Sequence, residues 1–126
     1  MFELPDVMRM AQQMARHAAA RQVVISENVA HADTPGYQAR DLPSFGATYG
    51  DGLSMRATRA GHLGFDAGSN VPSARIDPTT TTRAPNGNTV SLEHQMMRAA
   101  ETRQSHDMAL SVYSSARSIL RTALGN

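Results

Sequence analysis

Two long runs without glycine or proline limit the fold of this chain more than any other feature. The first run covers residues 6–34 and the second covers residues 88–124. Glycine and proline interrupt helices most strongly, so runs of this length favour long helices over a sheet. The composition agrees, because aromatic residues make up only 5% of the chain while the 8 Met and many Ala suit contacts between helices.

The first run predicts an N-terminal helical unit over residues 1–33. Its apolar side chains recur at steps of three and four residues, the spacing of one helix face. Pro5 and Asp6 suit the first turn of a helix, since an acid there favours the positive end of the helix dipole. Pro35 disfavours helical backbone at the preceding residue, so the helix should end by about Asp33.

The second run predicts a C-terminal helix within residues 91–126. Ser91 can cap this helix, Glu93 lies in its first turn, and Gly125 ends it. We expect the two helices to pair as an antiparallel coiled coil, and we expect neighbouring chains to cover the apolar surface that one pair leaves open. The side chains predicted at these helix interfaces are Met8, Met14, Ile25, Val29, Leu92, Met96, Leu110, Ile119 and Leu120.

Residues 34–90 have a different composition and predict a turn followed by a long, flexible segment. Residues 41–88 hold four prolines, seven glycines and a run of four threonines, and no helical period survives there. Residues 53–57 alternate and residues 75–77 are a second candidate, so short, weak strands are expected at both places. The predicted fold class is therefore mainly α, with a long irregular middle that contains weak β structure.

The composition also argues against several function classes. The chain has no Cys, which excludes disulfides and thiolate metal sites, and its net charge of +1 indicates no nucleic-acid surface. We expect no metal and no cofactor, because the five His form no pair at a spacing of four residues. No apolar run approaches the ~20 residues of a transmembrane helix, and the N-terminus lacks the pattern of a secretory signal. The arginines alternate with acids, which predicts solvated helix faces and ion pairs between subunits.

Residues 28–41 join the first helix to the middle segment, and they read Asn-Val-Ala-His-Ala-Asp-Thr-Pro-Gly-Tyr-Gln-Ala-Arg-Asp. Pro35 followed by Gly36 suits a type II turn, and the ring of Tyr37 can pack back on the helix. Asn28 lies near the helix seam, where we expect it to hydrogen-bond between helices. The residues predicted to form an assembly motif are Asn28, Ala30, Ala32, Asp33, Thr34, Pro35, Gly36 and Tyr37.

This stretch resembles the rod signature of the bacterial flagellar axial proteins, usually Asn-(Ile/Leu)-Ala-Asn-(Ala/Val)-(Asp/Asn)-Thr-Pro-Gly-Tyr-(Lys/Arg)-Ala. Residues 86–97 resemble the start of the C-terminal helix in the same proteins. His31, Gln38 and Val29 depart from the usual residues. On these motifs the chain is identified as a member of the flagella basal body rod protein family. The short chain resembles the proximal rod proteins of this family. The Arg40-Asp41 pair and residues 87–93 argue against the sister rod protein FlgC, which stays an alternative at this point.

The resemblance implies a structural subunit and no catalysis. It implies export through the flagellar type III apparatus without a cleaved signal peptide, and a place in the rod that crosses the periplasm. There the terminal helices would polymerise into the drive shaft and the wall of the export channel. The implied partners are further copies of the chain, other rod proteins of the FlgC and FlgF types and the ring adaptor FliE, without nucleic acid and without insertion into a membrane.

Two other classes remain as alternatives at this point. A helical-hairpin adaptor or chaperone of the export apparatus would share the two long helices, but it has no reason to carry the Asp-Thr-Pro-Gly-Tyr motif. A small enzyme such as a wall-remodelling hydrolase would need convergent acids in a pocket. Asp33 and Asp41 are the nearest candidates, and a predicted turn separates them.

Overall fold

A computed structural model of the protein describes residues 4–51 and 71–125 as a helical hairpin with a small β-ribbon laid against it. The elements in chain order are α1 (Leu4–Ala30), β1 (Arg40–Asp41), α2 (Phe45–Asp51), β2 (Arg75–Ile76) and α3 (Leu92–Ala123). The strands β1 and β2 pair antiparallel, with Arg40 opposite Ile76 and Asp41 opposite Arg75. The predicted class, mainly α with paired terminal helices, is confirmed.

The helices α1 and α3 are antiparallel and meet along a seam of mostly small side chains. Near the end of α1, Asn28 contacts Gln95 at the start of α3, which fixes the relative direction of the helices. On each helix a set of buried seam residues repeats every seven positions, as in a coiled coil. They are Ala11, Ala18 and Ile25 on α1, and Gln95, Thr102, Ala109 and Ala116 on α3. Alanine at so many of these positions allows the two backbones to approach closely.

The ends of both long helices follow local sequence rules. In the first turn of α1, Asp6 pairs with Arg9 at 3.4 Å. The Ser91 hydroxyl accepts a hydrogen bond from the His94 backbone N–H at 3.4 Å and so caps α3, as predicted. After α3, Gly125 has a φ of +79°, the left-handed conformation that terminates many helices.

The middle segment holds one helix that the sequence reasoning missed. The seven-residue α2 begins after Ser44, whose backbone carbonyl accepts a hydrogen bond from Thr48 at 3.1 Å. Phe45 meets the ring of His17 on α1 edge-on, with 5.8 Å between ring centroids. This contact with another element stabilises a helix whose Gly-containing sequence is a poor helix former by itself.

The two predicted strands have different outcomes. Residues 75–77 were a candidate, and β2 lies there. The candidate at residues 53–57 lies outside the described residues. The partner strand β1 was not predicted, because its two residues become a strand only through pairing with β2.

No helix in residues 4–51 and 71–125 is both long enough and apolar enough to cross a membrane.

Candidate functional site

Asn28 is the most buried polar residue of the signature stretch, with no exposed surface. Its amide nitrogen donates to the Arg40 carbonyl at 2.7 Å and to the Gln95 side-chain oxygen at 3.1 Å. Its amide oxygen accepts from the Arg40 N–H at 3.0 Å and from the Tyr37 hydroxyl at 3.4 Å. A carboxamide has two donor hydrogens and two acceptor sites, so Asn28 uses all of them. The side chain joins α1 to α3, as predicted, and holds β1 as well.

The Thr34-Pro35-Gly36-Tyr37 turn has the geometry that its sequence predicts. The Tyr37 N–H donates to the Thr34 carbonyl at 3.3 Å, and Gly36 has a φ of +72°. Proline at the second position and a positive φ at the third define a type II turn. The Tyr37 ring packs back and stacks on His31 with 4.6 Å between centroids. His31, one of the departures from the rod signature, therefore supports the turn through its ring.

Asn88 binds the turn region that follows α1 from a distant part of the chain. Its amide nitrogen lies 2.8 Å from each of three carbonyl oxygens, those of His31, Ala32 and Thr34. Its amide oxygen accepts from the Val90 N–H at 2.7 Å. These carbonyls lie in the turn region that follows α1, where those of His31 and Thr34 also accept from the backbone N–H groups of Thr34 and Tyr37. Asn88 therefore adds hydrogen bonds from outside to a turn that also holds itself together. The segment before α3 thereby fixes the direction in which the chain leaves α1.

A four-charge cluster, formed by Arg21, Asp41, Asp77 and Arg98, ties the ribbon to both long helices. Arg21 donates from Nε and Nη2 to the two oxygens of Asp41, both at 2.9 Å. Arg98 pairs with the same carboxylate at 3.1 Å and also with Asp77. Two positive and two negative groups therefore balance in a largely buried position, as buried charges require.

The cluster changes the acid–base properties of two of its members. Burial alone would raise the pKa of Asp77, but hydrogen bonds from Arg98 and Thr79 outweigh it and lower the pKa to about 2. The bidentate hydrogen bond to Asp41 raises the pKa of Arg21 above its usual value, against the effect of burial. Both shifts favour the charged forms, so the ion pairs persist at neutral pH.

The arginine prediction was wrong for two residues. We expected Arg21 and Arg98 on solvated faces or in ion pairs between subunits, yet both pair within the chain. Sequence reasoning also missed the roles of Asp77, Asn88 and Gln95. Asn86-Gly87-Asn88 is typical of a turn, but nothing local indicated that Asn88 would bind a turn more than fifty residues earlier in the chain.

The predicted assembly motif divides between the interior and the surface. Asn28 is buried, Ala32 and Tyr37 are half-buried, and the other members are exposed, namely Ala30, Asp33, Thr34, Pro35 and Gly36. The predicted helix-interface residues divide in the same way. Ile25 lies in the seam, while Met8, Met14 and Leu120 are half-buried and Val29, Leu92, Met96, Leu110 and Ile119 are exposed.

Within the part of the chain that the structure describes, no three His, Asp or Glu side chains come together as a metal site. The polar groups at the site bind one another and the backbone, and they form a joint between helices and ribbon. The fold and this joint define a class of protein: a helical hairpin with a braced turn and large apolar side chains on its outer surface.

Comparison with curated proteins gives the particular family. No family model matches the chain. The flagellar basal body rod protein FlgB of Escherichia coli K12 is 30% identical over 122 residues, covering 89% of this chain and 88% of that protein. The FlgB proteins of Yersinia enterocolitica (28% over 127 residues) and Agrobacterium fabrum (27% over 115 residues) cover 87% of this chain. The matched region makes up 87% of the Yersinia protein and 86% of the Agrobacterium protein.

The chain belongs to the FlgB family of flagellar basal body rod proteins. The resemblance drawn from the signature is thereby confirmed. These relatives carry the name of a structural rod component, in agreement with a braced helical hairpin.

Proposed function

We propose that this chain is a proximal rod subunit that polymerises through its long helices into the drive shaft and the wall of the export channel. One observation carries the proposal: the α1–α3 pair leaves large apolar side chains uncovered. Met96 is 72% exposed, Ile119 55% and Leu92 51%, all on α3. Leu92 and Met96 lie one helical turn apart, and neighbouring exposed apolar side chains indicate an interaction surface rather than a free helix face.

Some of the uncovered side chains line a groove between the two helices, and no ribbon residue lines this groove. Val29 and Met96 line it from opposite sides, together with Ile25 and Ala99. Another side of α1 is covered, because Asn28, Arg21 and His17 bind residues of the segment 40–43 there. A helix from a neighbouring subunit can therefore pack on the groove while the ribbon stays in place.

We assign the parts of the chain accordingly. Residues 1–33 and 91–126 act as one assembly domain, and residues 34–90 supply the joint and the ribbon. The signature residues from Asn28 to Tyr37 hold the angle at which the chain leaves α1, so their contribution to assembly is to present the hairpin in one shape. The exposed interface residues then contact other subunits, while Ile25 acts inside the hairpin.

The proposed location is the rod crossing the periplasm, reached through the flagellar type III apparatus without a cleaved signal. The proposed neighbours are further copies of this chain, rod proteins of the FlgC and FlgF types and a FliE-type ring adaptor. The names of the curated relatives, which place them in the basal body rod, support this proposal.

A charge introduced on the exposed surface tests the proposal. Met96→Glu should leave the isolated subunit folded, because this side chain is 72% exposed, but it should abolish rod assembly and motility in cells lacking their own copy of the gene. Gln104→Glu places the same charge on an exposed position of α3 and serves as the matched control. Normal swimming of the Met96→Glu strain, with the variant protein in its basal bodies, would overturn the proposal.

A further inference from the structure

We infer that the four-charge cluster makes docking of the β-ribbon and pairing of the two long helices a single cooperative step. The ribbon is then part of what holds the hairpin together. This inference concerns the conformation of the free subunit and does not depend on the proposed role in the rod.

The first argument is the position of the four charges. Arg21 lies on α1, Arg98 on α3 and Asp41 on β1, while Asp77 directly follows β2. Asp41 binds both arginines, and Arg98 binds both aspartates. Arg98 also donates to the Thr79 hydroxyl at 2.8 Å. Each helix is therefore connected to the other through a carboxylate of the ribbon.

The second argument is charge balance. When the ribbon is docked, the side chains of Arg98 and Asp77 are only 8% and 2% exposed. When it is undocked, Arg21 and Arg98 lose the shared Asp41 carboxylate that separates them and face each other across the helix pair. On α3, the negative charge of Glu101 still attracts Arg21 after undocking. In the docked state, however, Arg21 pairs with Asp41 and not with Glu101. Like charges at this position oppose helix pairing, so pairing is favoured only with the ribbon in place.

The third argument is that Asn28 repeats the same connection without charge. Its amide donates to Gln95 across the helix seam and binds both backbone groups of Arg40 in β1. When β1 undocks, Asn28 loses the Arg40 partner of two of its four hydrogen bonds. The seam itself offers little compensation, because alanines and the polar Gln95 and Thr102 occupy its central positions.

Hydrogen exchange measured by mass spectrometry tests the inference on the full chain. The readout compares a ribbon peptide over residues 37–43 with a helix peptide over residues 102–116. The ribbon peptide contains protected amides, such as Ala39, which donates to Thr89 Oγ1 at 2.9 Å, and Arg40, which donates to Asn28. If docking and pairing are one step, Asp77→Asn accelerates exchange in both peptides by the same factor, roughly tenfold or more for a buried ion pair.

Asp107→Asn is the matched control, since Asp107 is an exposed acid of α3 and its removal should change neither peptide. Acceleration confined to the ribbon peptide, with the helix peptide unchanged, would overturn the inference. If Asp77→Asn fails to fold, the double variant Asp77→Asn with Arg98→Met removes both charges and restores charge balance. Recovery of helix protection relative to Arg98→Met alone supports the coupling, and equal loss in the two variants contradicts it.

Discussion

Asn28 shows at the scale of one residue how the signature works in this chain. Its carboxamide binds the N–H and the C=O of Arg40, so the side chain acts toward β1 as a neighbouring strand would. The same group reaches Gln95 on α3. A carboxylate of similar size lacks the N–H donors, and an aliphatic side chain lacks donors and acceptors alike. Neither can therefore replace Asn28.

The first prediction is that Asn28→Ala lowers the free energy of unfolding by about 3 kcal/mol, because it removes the partner of both Arg40 backbone groups and of the buried Gln95 side chain. Chemical denaturation followed by circular dichroism measures the loss. Gln38→Ala, at an exposed signature position, is the control and should change little. Equal effects of the two substitutions would contradict the role assigned to Asn28.

The second prediction concerns acid. Because the pKa of Asp77 is lowered to about 2 from an ordinary 3.8, its charge stabilises the fold above about pH 4. This contribution, about 2 kcal/mol, is lost as the pH falls from 4 to 2. Denaturation midpoints measured across this range should fall less steeply in Asp77→Asn than in the unchanged chain. Parallel curves for the two proteins would mean that Asp77 does not titrate as described.

Single residues were predictable from sequence only where a local pattern marks them. Asn28 was identified because it lies near the seam of a recognisable helix, and Tyr37 because it follows a recognisable turn. Arg21 and Arg98 were misjudged because their charges resemble those of any solvated helix. Their partner Asp41 is brought to them by the fold, and nothing in the local spacing indicates it.

At the scale of elements, two glycine turns direct the chain between the helices. Gly36 and Gly87 have φ values of +72° and +85°, and the backbone N–H of Gly36 donates to the Asn86 carbonyl at 3.0 Å. The two turns therefore lie against each other where α1 ends and the chain approaches α3. This arrangement places the Asn88 amide beside the carbonyls of His31, Ala32 and Thr34, just after α1.

The third prediction compares three glycines. Gly36→Ala and Gly87→Ala should each destabilise the fold by about 1 kcal/mol, since a left-handed backbone disfavours any Cβ. Gly46→Ala, in α2 with open space around the site, should instead be neutral or stabilising by up to about 1 kcal/mol. Urea denaturation of the three variants tests this difference in sign, and a loss of stability on Gly46→Ala would contradict it.

The long elements could be predicted from the sequence and the short ones only in part. Both long helices were expected from their uninterrupted apolar period, and both start signals were correct. The helix α2 and the strand β1 are too short to carry a period, and contacts with α1 and β2 create them. Local sequence does not contain that information.

At the scale of the whole molecule, the chain is a braced hairpin with one face bound to the ribbon and another left open. The ribbon face is held by buried polar groups that bind within the chain, among them Asn28 and the four-charge cluster. The open groove, with Val29 and Met96 on its sides, is apolar and uncovered. Membership of the FlgB family and this open groove together support the proposal that neighbouring subunits cover the groove in a rod.

Crosslinking in cells from a photoreactive residue at Val29 tests this account most directly. Val29 lies in the open groove and is 44% exposed in the free subunit. The same photoreactive residue at Thr82, an exposed position of the middle segment outside the groove, is the control. The account predicts crosslinks from Val29 to further copies of the chain and to other rod proteins, only in cells that build basal bodies. Crosslinks from Val29 to a single soluble client, or none beyond the monomer, would contradict it.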